Sequence, residues 1–525
     1  MKRFFTAFLA FLLVICLAAC GKATKESALS NGDSSATPTE TTAPVDLAPG
    51  HDQLMLYIKD DGIYLLDCRT NASQLIYTHP DAWTAAMLCD SRNSAAGISD
   101  DGAVVYWLMG NVSGEDTQPD LYVYTAGGET KQVAQGVQDF RISGDGQYCV
   151  YVNGAQQIYH YSLTAGTSVL IAARCQNTFS MDTWFFAVGG CPDSFLYQLD
   201  NYVYFSDGLG LYRVAFGGSR QKIADRAWEL DRHYIADNKL VVYVEYIKDQ
   251  PLGAVYTWQD GQSTKVLDSA SQILQVYPDG SFYYVDGGGL SDLSAKLCYY
   301  DGVSSTQLCE YTGRFDFCFS TSRHGGILFA YETDQVFLVR GGTVTQWSES
   351  YVNRTYAAND KVWFSSASGV YSFDLATQAQ PVLELKDCKI YYQDKPGRVI
   401  CSSWQDEVYV DGAPAGKQSS SDSLFYRNDY LVTFETDHTL VGFAQTGAGK
   451  HGLTSYKNAY NLFLFGTEPV EIAQNTVVHF GMENGTLVYL KDMDPSTFSG
   501  SLYLHQTGRD VLIDSNVYGI VPCTK

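Results

Sequence analysis

From residue 51 onward the chain repeats one pattern. A short apolar run meets a Gly, Asp or Asn turn, then a Tyr-rich run, another turn and a shorter run. Asp60-Asp61-Gly62 leads into Ile63-Tyr64-Leu65-Leu66. Asp200-Asn201 leads into Tyr202-Val203-Tyr204-Phe205, and Asp279-Gly280-Ser281 into Phe282-Tyr283-Tyr284-Val285. Later copies are Asp360-Lys361-Val362-Trp363-Phe364 and Asn484-Gly485-Thr486-Leu487-Val488-Tyr489. Alternation with a period of two, broken by turn residues every eight to twelve positions, predicts strands throughout. Unit starts fall near residues 53, 100, 139, 194, 231, 271, 315, 355, 388, 423 and 476. That spacing is the one expected of four-stranded propeller blades. The predicted fold class is therefore all-β, a β-propeller of stacked blades whose apolar faces bury one another. Eleven units exceed an ordinary ring, so two rings are the preferred reading and one irregular ring the alternative. Val517-Tyr518-Gly519-Ile520-Val521 is one strand too many for the last unit. The first unit lacks a leading strand before Leu54, so the C-terminus is expected to complete it and remove an exposed edge.

Two units carry a more specific signature. Ile98-Ser99-Asp100-Asp101-Gly102-Ala103-Val104-Val105-Tyr106 and Ile142-Ser143-Gly144-Asp145-Gly146-Gln147-Tyr148-Cys149-Val150-Tyr151 resemble the Ser-x-Asp-Gly blade motif of TolB-type propellers. Residues 201–225 are similar to the units of bacterial lipoprotein propellers of unknown function. The resemblance spans most of 51–525 and implies a fold far more than an activity.

The first fifty residues read differently. Met1-Lys2-Arg3 precedes an apolar run from Phe4 to Ala19, too short for a comfortable bilayer span and built like a secretory signal. It ends Leu17-Ala18-Ala19-Cys20-Gly21, which resembles the bacterial lipobox. That resemblance implies a signal peptide over 1–19, cleavage before Cys20 and diacylglycerol on its thiol. An ordinary secretory signal with a chance Cys is the competing reading. Residues 20–50 are rich in Ser, Thr, Ala and Pro and bury too little to order themselves, which predicts a flexible tether. The expected location is extracytoplasmic, with the chain held to the membrane lipid bilayer by its N-terminal anchor and residues 51–525 forming the propeller region.

Charge narrows the partners. Lys+Arg number 35 against 58 Asp+Glu, a formal charge of −23 in 525 residues. A surface this acidic disfavours phosphate-neutralising contact, so no nucleic-acid partner is expected.

Candidate chemistry is sparse. No His-Glu-x-x-His or Gly-x-Ser-x-Gly occurs, and the nine His are dispersed, so no catalytic residue, metal ligand or cofactor is nominated. Gly447-Ala448-Gly449-Lys450-His451-Gly452 fits Gly-x-Gly-x-x-Gly, but strand-like segments flank it and a loop is expected. Asp60-Asp61-Gly62, Asp100-Asp101-Gly102 and Asp492-Met493-Asp494 read as turns rather than calcium loops. Of 13 Cys, most are scattered without metal spacing and read as packed thiols, Cys149 and Cys401 among them.

The segment from Ala172 to Asp193 fits the repeat least. It carries Trp184, Phe185 and Phe186, bracketed by Cys175 and Cys191, the best disulfide candidates. An insertion of this kind is a candidate partner-binding lip; an extra strand packed on the ring is the competing reading. The leading functional reading is a non-catalytic lipoprotein binding an unknown protein, peptide or glycan ligand. A carbohydrate-active or other hydrolytic enzyme, with its acids spread over several blades, is the alternative.

Overall fold

The structure, a computed structural model, describes residues 53–523 apart from short breaks, the longest at 79–95, 110–118, 176–194 and 226–233. Cys20, Trp184, Phe185, Phe186 and Cys191 lie outside the described residues. The described secondary structure is all-β: nine four-stranded antiparallel sheets and one seven-stranded sheet. In chain order they start at Leu54, Ala96, Val137, Tyr197, Tyr234, Gln272, Phe315, Thr355, Cys388 and Ser423. Those starts match the sequence units, because each begins where a turn rich in Gly, Asp or Ser gives way to an alternating run.

The seven-stranded sheet holds the last two expected units. Val470–Gly481 serves both: Val470 to Thr476 pairs with Tyr460 to Leu464, and Thr476 to Gly481 pairs with Leu487 to Lys491. A bulge at Thr476/Val478 marks the change of partner, and bulges bend strands in this way. Asn475, in the left-handed region at φ 54°, sits beside that bulge, yet strand pairing continues on both sides of it, so one continuous strand serves both units.

Neighbouring sheets bury each other's faces in chain order. Leu56 and Ile63 of the first sheet pack with Val105 and Trp107 of the second. Tyr106 and Val123 pack with Phe140 and Tyr151 of the third, and Val150 and Val152 with Val203 and Phe205 of the fourth. The sequence continues through the sixth and seventh sheets, where Tyr283 and Leu297 meet Phe319 and Leu328. The tenth sheet returns to the first: Val488, Leu490, Leu502 and Leu504 share a cluster with Met55, Tyr57 and Leu66.

The expected C-terminal closure is present. Gly519–Pro522 pairs antiparallel with Leu54–Lys59, in the register Ile58↔Gly519 through Met55↔Pro522. The first sheet is thus built from both ends of the folded body. Lys59 Nζ lies 2.9 Å from Asp514 Oδ1, Tyr57 OH donates to Asp514 Oδ2 at 3.0 Å, and Tyr518 OH donates to Asp60.

The Ser-x-Asp-Gly signature is a turn device. Ser99 Oγ donates to Asp101 Oδ1 and accepts from Val104 N–H; Ser143 Oγ does the same with Asp145 and Tyr148. Gly102 and Gly146 sit at φ 71° and 67°, the left-handed region that a side chain resists. Asp101 Oδ1 also accepts from Ala103 N–H and Asp145 Oδ1 from Gln147 N–H, so one oxygen of each carboxylate serves its own turn. Thr446 pairs directly with Gly449, so the Gly-x-Gly-x-x-Gly motif falls at a hairpin end between Tyr430–Thr446 and Gly449–Leu464, with a strand rather than a helix after it.

Asp67, at the end of its strand, is fully buried and paired with Arg69 at 2.7 Å. Burial opposes its ionised form, but the Arg69 side chain and backbone N–H outweigh that and hold the carboxyl below its ordinary 3.8. A depressed carboxyl contributes stability above its unfolded pKa that is lost as pH falls through the folded value. The stability gap between wild type and Asp67→Asn is therefore expected to be constant near neutrality and to narrow below pH 3.8. Urea titrations across that range measure it; a pH-independent gap would contradict the assignment.

Candidate functional site

An open groove lies where the outer strand of the second sheet, Lys131–Ala134, faces the third sheet. Its volume is about 670 Å³, and its walls include Lys131, Gln132, Asn153, Tyr159, Tyr161 and Ser168. The alternation of the third sheet builds it. Tyr151 lies directly opposite Tyr159 across Tyr148–Asn153 and Ile158–Ser162, and their rings stack with centroids 5.3 Å apart. Tyr161 lies opposite Ser168 on the outermost strand, Thr167–Ala172. Tyr151 and Tyr161 are buried in the core shared with the second sheet, whereas Thr167 to Leu170 are exposed. Asn153 Nδ2 and Tyr159 OH both donate to Gln157 Oε1, which fixes the groove's floor. No lining residue is acidic. Burial pushes the Tyr151 phenol above its ordinary value, so it stays protonated and able to donate.

A Ser, a His and an Asp converge elsewhere, between the sixth and seventh sheets. His324 Nε2 lies 3.2 Å from Ser281 Oγ and 3.2 Å from Asp279 Oδ2, while Ser281 Oγ donates to Asp279 Oδ1 at 2.7 Å. His324 Nδ1 lies 3.1 Å from Tyr299 OH. Nucleophilic catalysis needs one imidazole nitrogen on the serine as base and the other on the carboxylate. Here the same nitrogen, Nε2, faces both Ser281 and Asp279 while Nδ1 faces Tyr299, so the imidazole does not bridge serine and carboxylate. Ser281 is also 1% exposed. This cluster is a polar clasp between two sheets, not a hydrolytic triad. Among the described residues no group of three His, Cys, Asp or Glu side chains is arranged to hold a metal ion.

Most of the described cysteines sit as buried, packed residues. Cys149 and Cys401 are fully buried. Burial pushes the thiols of Cys68, Cys318 and Cys523 up to about 12, far from the thiolate that reactivity needs. Cys175 is buried too, its Sγ 3.7 Å from the Phe195 carbonyl oxygen. With Cys191 and the aromatic trio outside the described residues, the anchored feature of the insertion is its return. Asp139 Oδ2 accepts from the N–H groups of Phe195 and Leu196, and Arg141 donates to the Leu196 carbonyl. The groove was not legible in the sequence. Its walls come from two units, and its tyrosines read there as strand formers.

No protein-family model matches the chain, and no curated protein matches it. Solved structures similar to it include PorZ of Porphyromonas gingivalis, described as an essential bacterial surface component of the type-IX secretion system. It is 11% identical over 81% of this chain and 59% of that one, with a TM-score of 0.24. Dipeptidyl peptidase 4 of the same organism is 11% identical over 80% and 65%, with a TM-score of 0.33. BamB from Moraxella catarrhalis is 13% identical over 63% and 94%, with a TM-score of 0.28. Likeness at this level carries no functional argument. The chain's own sheets define its class: an all-β repeat protein of propeller blades.

Proposed function

We propose that this protein is a membrane-anchored extracytoplasmic lipoprotein whose propeller binds a protein, peptide or glycan partner without catalysing a reaction. Residues 1–19 direct export, Cys20 carries the lipid, and residues 20–50 tether the body. The observation that carries the binding reading is the groove between the second and third sheets, open and lined with hydrogen-bonding groups but no acid or histidine. Such a lining suits recognition, whereas general acid–base chemistry calls for a poised titratable pair. Cys20→Ala is expected to move the protein out of the membrane fraction or to block maturation. Unchanged membrane retention with normal signal removal would count against the anchor.

The insertion offers a second contact surface on the same reading. Trp184, Phe185 and Phe186 are the residue types enriched where proteins meet, and a Cys175–Cys191 disulfide would hold them rigid. Trp184→Ala is expected to keep the melting temperature and lose partner captured by cross-linking in membranes. A stability loss of about 3–5 kcal/mol, the usual cost of truncating a core aromatic, would make the segment structural instead.

A further inference from the structure

We infer that the long hairpin formed by Tyr430–Thr446 and Gly449–Leu464 is a dimerisation arm, whose first strand pairs edge to edge with the same strand of a second copy of this chain. This goes beyond the partner-binding reading above and rests on neither the groove nor the lipid. The hairpin outruns the sheet that carries it. On one side Ser423–Arg427 pairs only with Tyr430 to Phe434. On the other, Val470–Gly481 meets the hairpin only from Tyr460 to Leu464. From Thr436↔Tyr460 to Thr446↔Gly449 the two strands pair with each other alone among the described residues. Residues 436–446 span about 35 Å at roughly 3.4 Å per residue. A two-stranded ribbon is marginally stable at best in water and calls for a third strand or a packed face. Every other edge strand among the described residues is backed by at least three strands of its own sheet. Along this arm a bare edge is backed by one.

Sequence and register select a second copy. His438 to Ala444 pairs with Ala459 to Leu453 without interruption, and the two register shifts, Thr436/His438 and Ala444/Thr446, fall at its ends. The run reads His-Thr-Leu-Val-Gly-Phe-Ala, with none of the Asp, Glu, Lys, Arg or Pro that guard bare edges. The hairpin's other strand carries Lys450 and Lys457. Association through the first strand therefore closes at two copies instead of growing into a fibre. A two-fold axis through Val441 sets the run against itself. Val441 then meets Val441 of the second copy, Leu440 meets its Gly442, Thr439 its Phe443, His438 its Ala444 and Asp437 its Gln445. No like charges come opposite each other, which pairing across strands requires. Val441, Phe443 and Tyr456 share one face by register, so the axis joins them into a single apolar stripe across four strands. The chain carries a formal charge of −23, and antiparallel arms of this length hold the two bodies apart by more than the Debye length of about 8 Å. A lipid surface fits less well, because Thr439, Thr454 and Asn458 interrupt that same face.

The test uses the full-length protein extracted in detergent. Sedimentation equilibrium at matched solvent density should give the mass of two copies at micromolar concentration. Val441→Lys sets two ammonium groups opposite each other and should weaken association by roughly tenfold or more, with the melting temperature unchanged. A variant in which an Asn-Gly turn replaces residues 437–459 should be a monomer with that same melting temperature. Disulfide trapping in membranes reads the register, with wild type as the control for the native cysteines. Val441→Cys should cross-link to its own copy on oxidation. Leu440→Cys and Gly442→Cys should cross-link when the two variants are co-expressed, and far less when either is alone. A monomeric wild type, a mass beyond two copies, a dimer that survives removal of the arm, association unchanged by Val441→Lys, or equal self-trapping at 440 and 441 would each overturn the inference. So would a protein that stays monomeric while its 438–444 amides gain exchange protection only on phosphatidylglycerol vesicles, which would assign the arm to a lipid surface.

Discussion

Deletion of residues 515–525 is expected to lower and broaden the cooperative melting transition of the folded body. The deletion strips Gly519–Pro522 from the edge of Leu54–Lys59 and removes Ile520, Val521 and Tyr518, which are 3%, 7% and 8% exposed. Fully burying an aliphatic side chain of this size contributes about 1.5–3 kcal/mol, so the lost contacts amount to roughly 5 kcal/mol before the ladder hydrogen bonds are counted. Whole domains are stable by only about 5–15 kcal/mol. The loss also falls where the tenth sheet meets the first: Ile520 and Val517 pack among Met55, Tyr57, Leu490 and Leu502. Calorimetry should show a broadened, lower transition, together with new exchange at the amides of Leu54–Lys59. An unaltered transition would mean that the strand pairing contributes nothing to the body's integrity.

The second large effect is expected at Asp139, which ties the end of the insertion to the third sheet. Its Oδ1 lies 2.5 Å from Arg141 Nη1, and its Oδ2 accepts from two consecutive backbone N–H groups at 3.2 Å each. Asp139 itself is 8% exposed. Asp139→Ala removes the acceptor from both amides and the counter-charge from a guanidinium. An unsatisfied buried donor costs about 1–3 kcal/mol, and a broken buried pair about 3–5 kcal/mol. Because the Arg141 side chain is 23% exposed, solvent recovers part of this, and about 3 kcal/mol is the expected loss. Asp139→Asn keeps one acceptor oxygen and should cost less. Urea unfolding midpoints measure both variants. A loss under about 1 kcal/mol for the alanine variant would show that the carboxylate does not anchor the return.

Much of this architecture was legible because each blade is local. A hairpin repeats its own period and its own turn residues, so Ser99-Asp100-Asp101-Gly102 announces a turn without reference to anything distant. The closing strand was legible for a related reason, since an unpaired run at the C-terminus and a missing one before Leu54 complement each other. The unit boundary near residue 476 was legible too, marked by Asn475 and matching the point where the strand changes partner; that one continuous strand would serve both units was not, because no break in pairing separates them. Nor were the long-range meetings. His324 reaches Ser281 from 43 positions further along the chain, and the groove joins Lys131 to Tyr159 and Ser168 from a neighbouring sheet. Contacts between blades depend on how whole sheets pack, and a local period carries no record of that.

On the proposed function, a folded recognition body is held at a membrane through lipid on Cys20. Intact-mass spectrometry of the protein extracted from membranes with detergent tests this most directly. The predicted mass is that of a chain beginning at Cys20 with a diacylglyceryl group on its thiol, and N-terminal fragments should place the added lipid on that residue. A chain beginning at Cys20 or elsewhere without lipid, or one retaining residues 1–19, would contradict it.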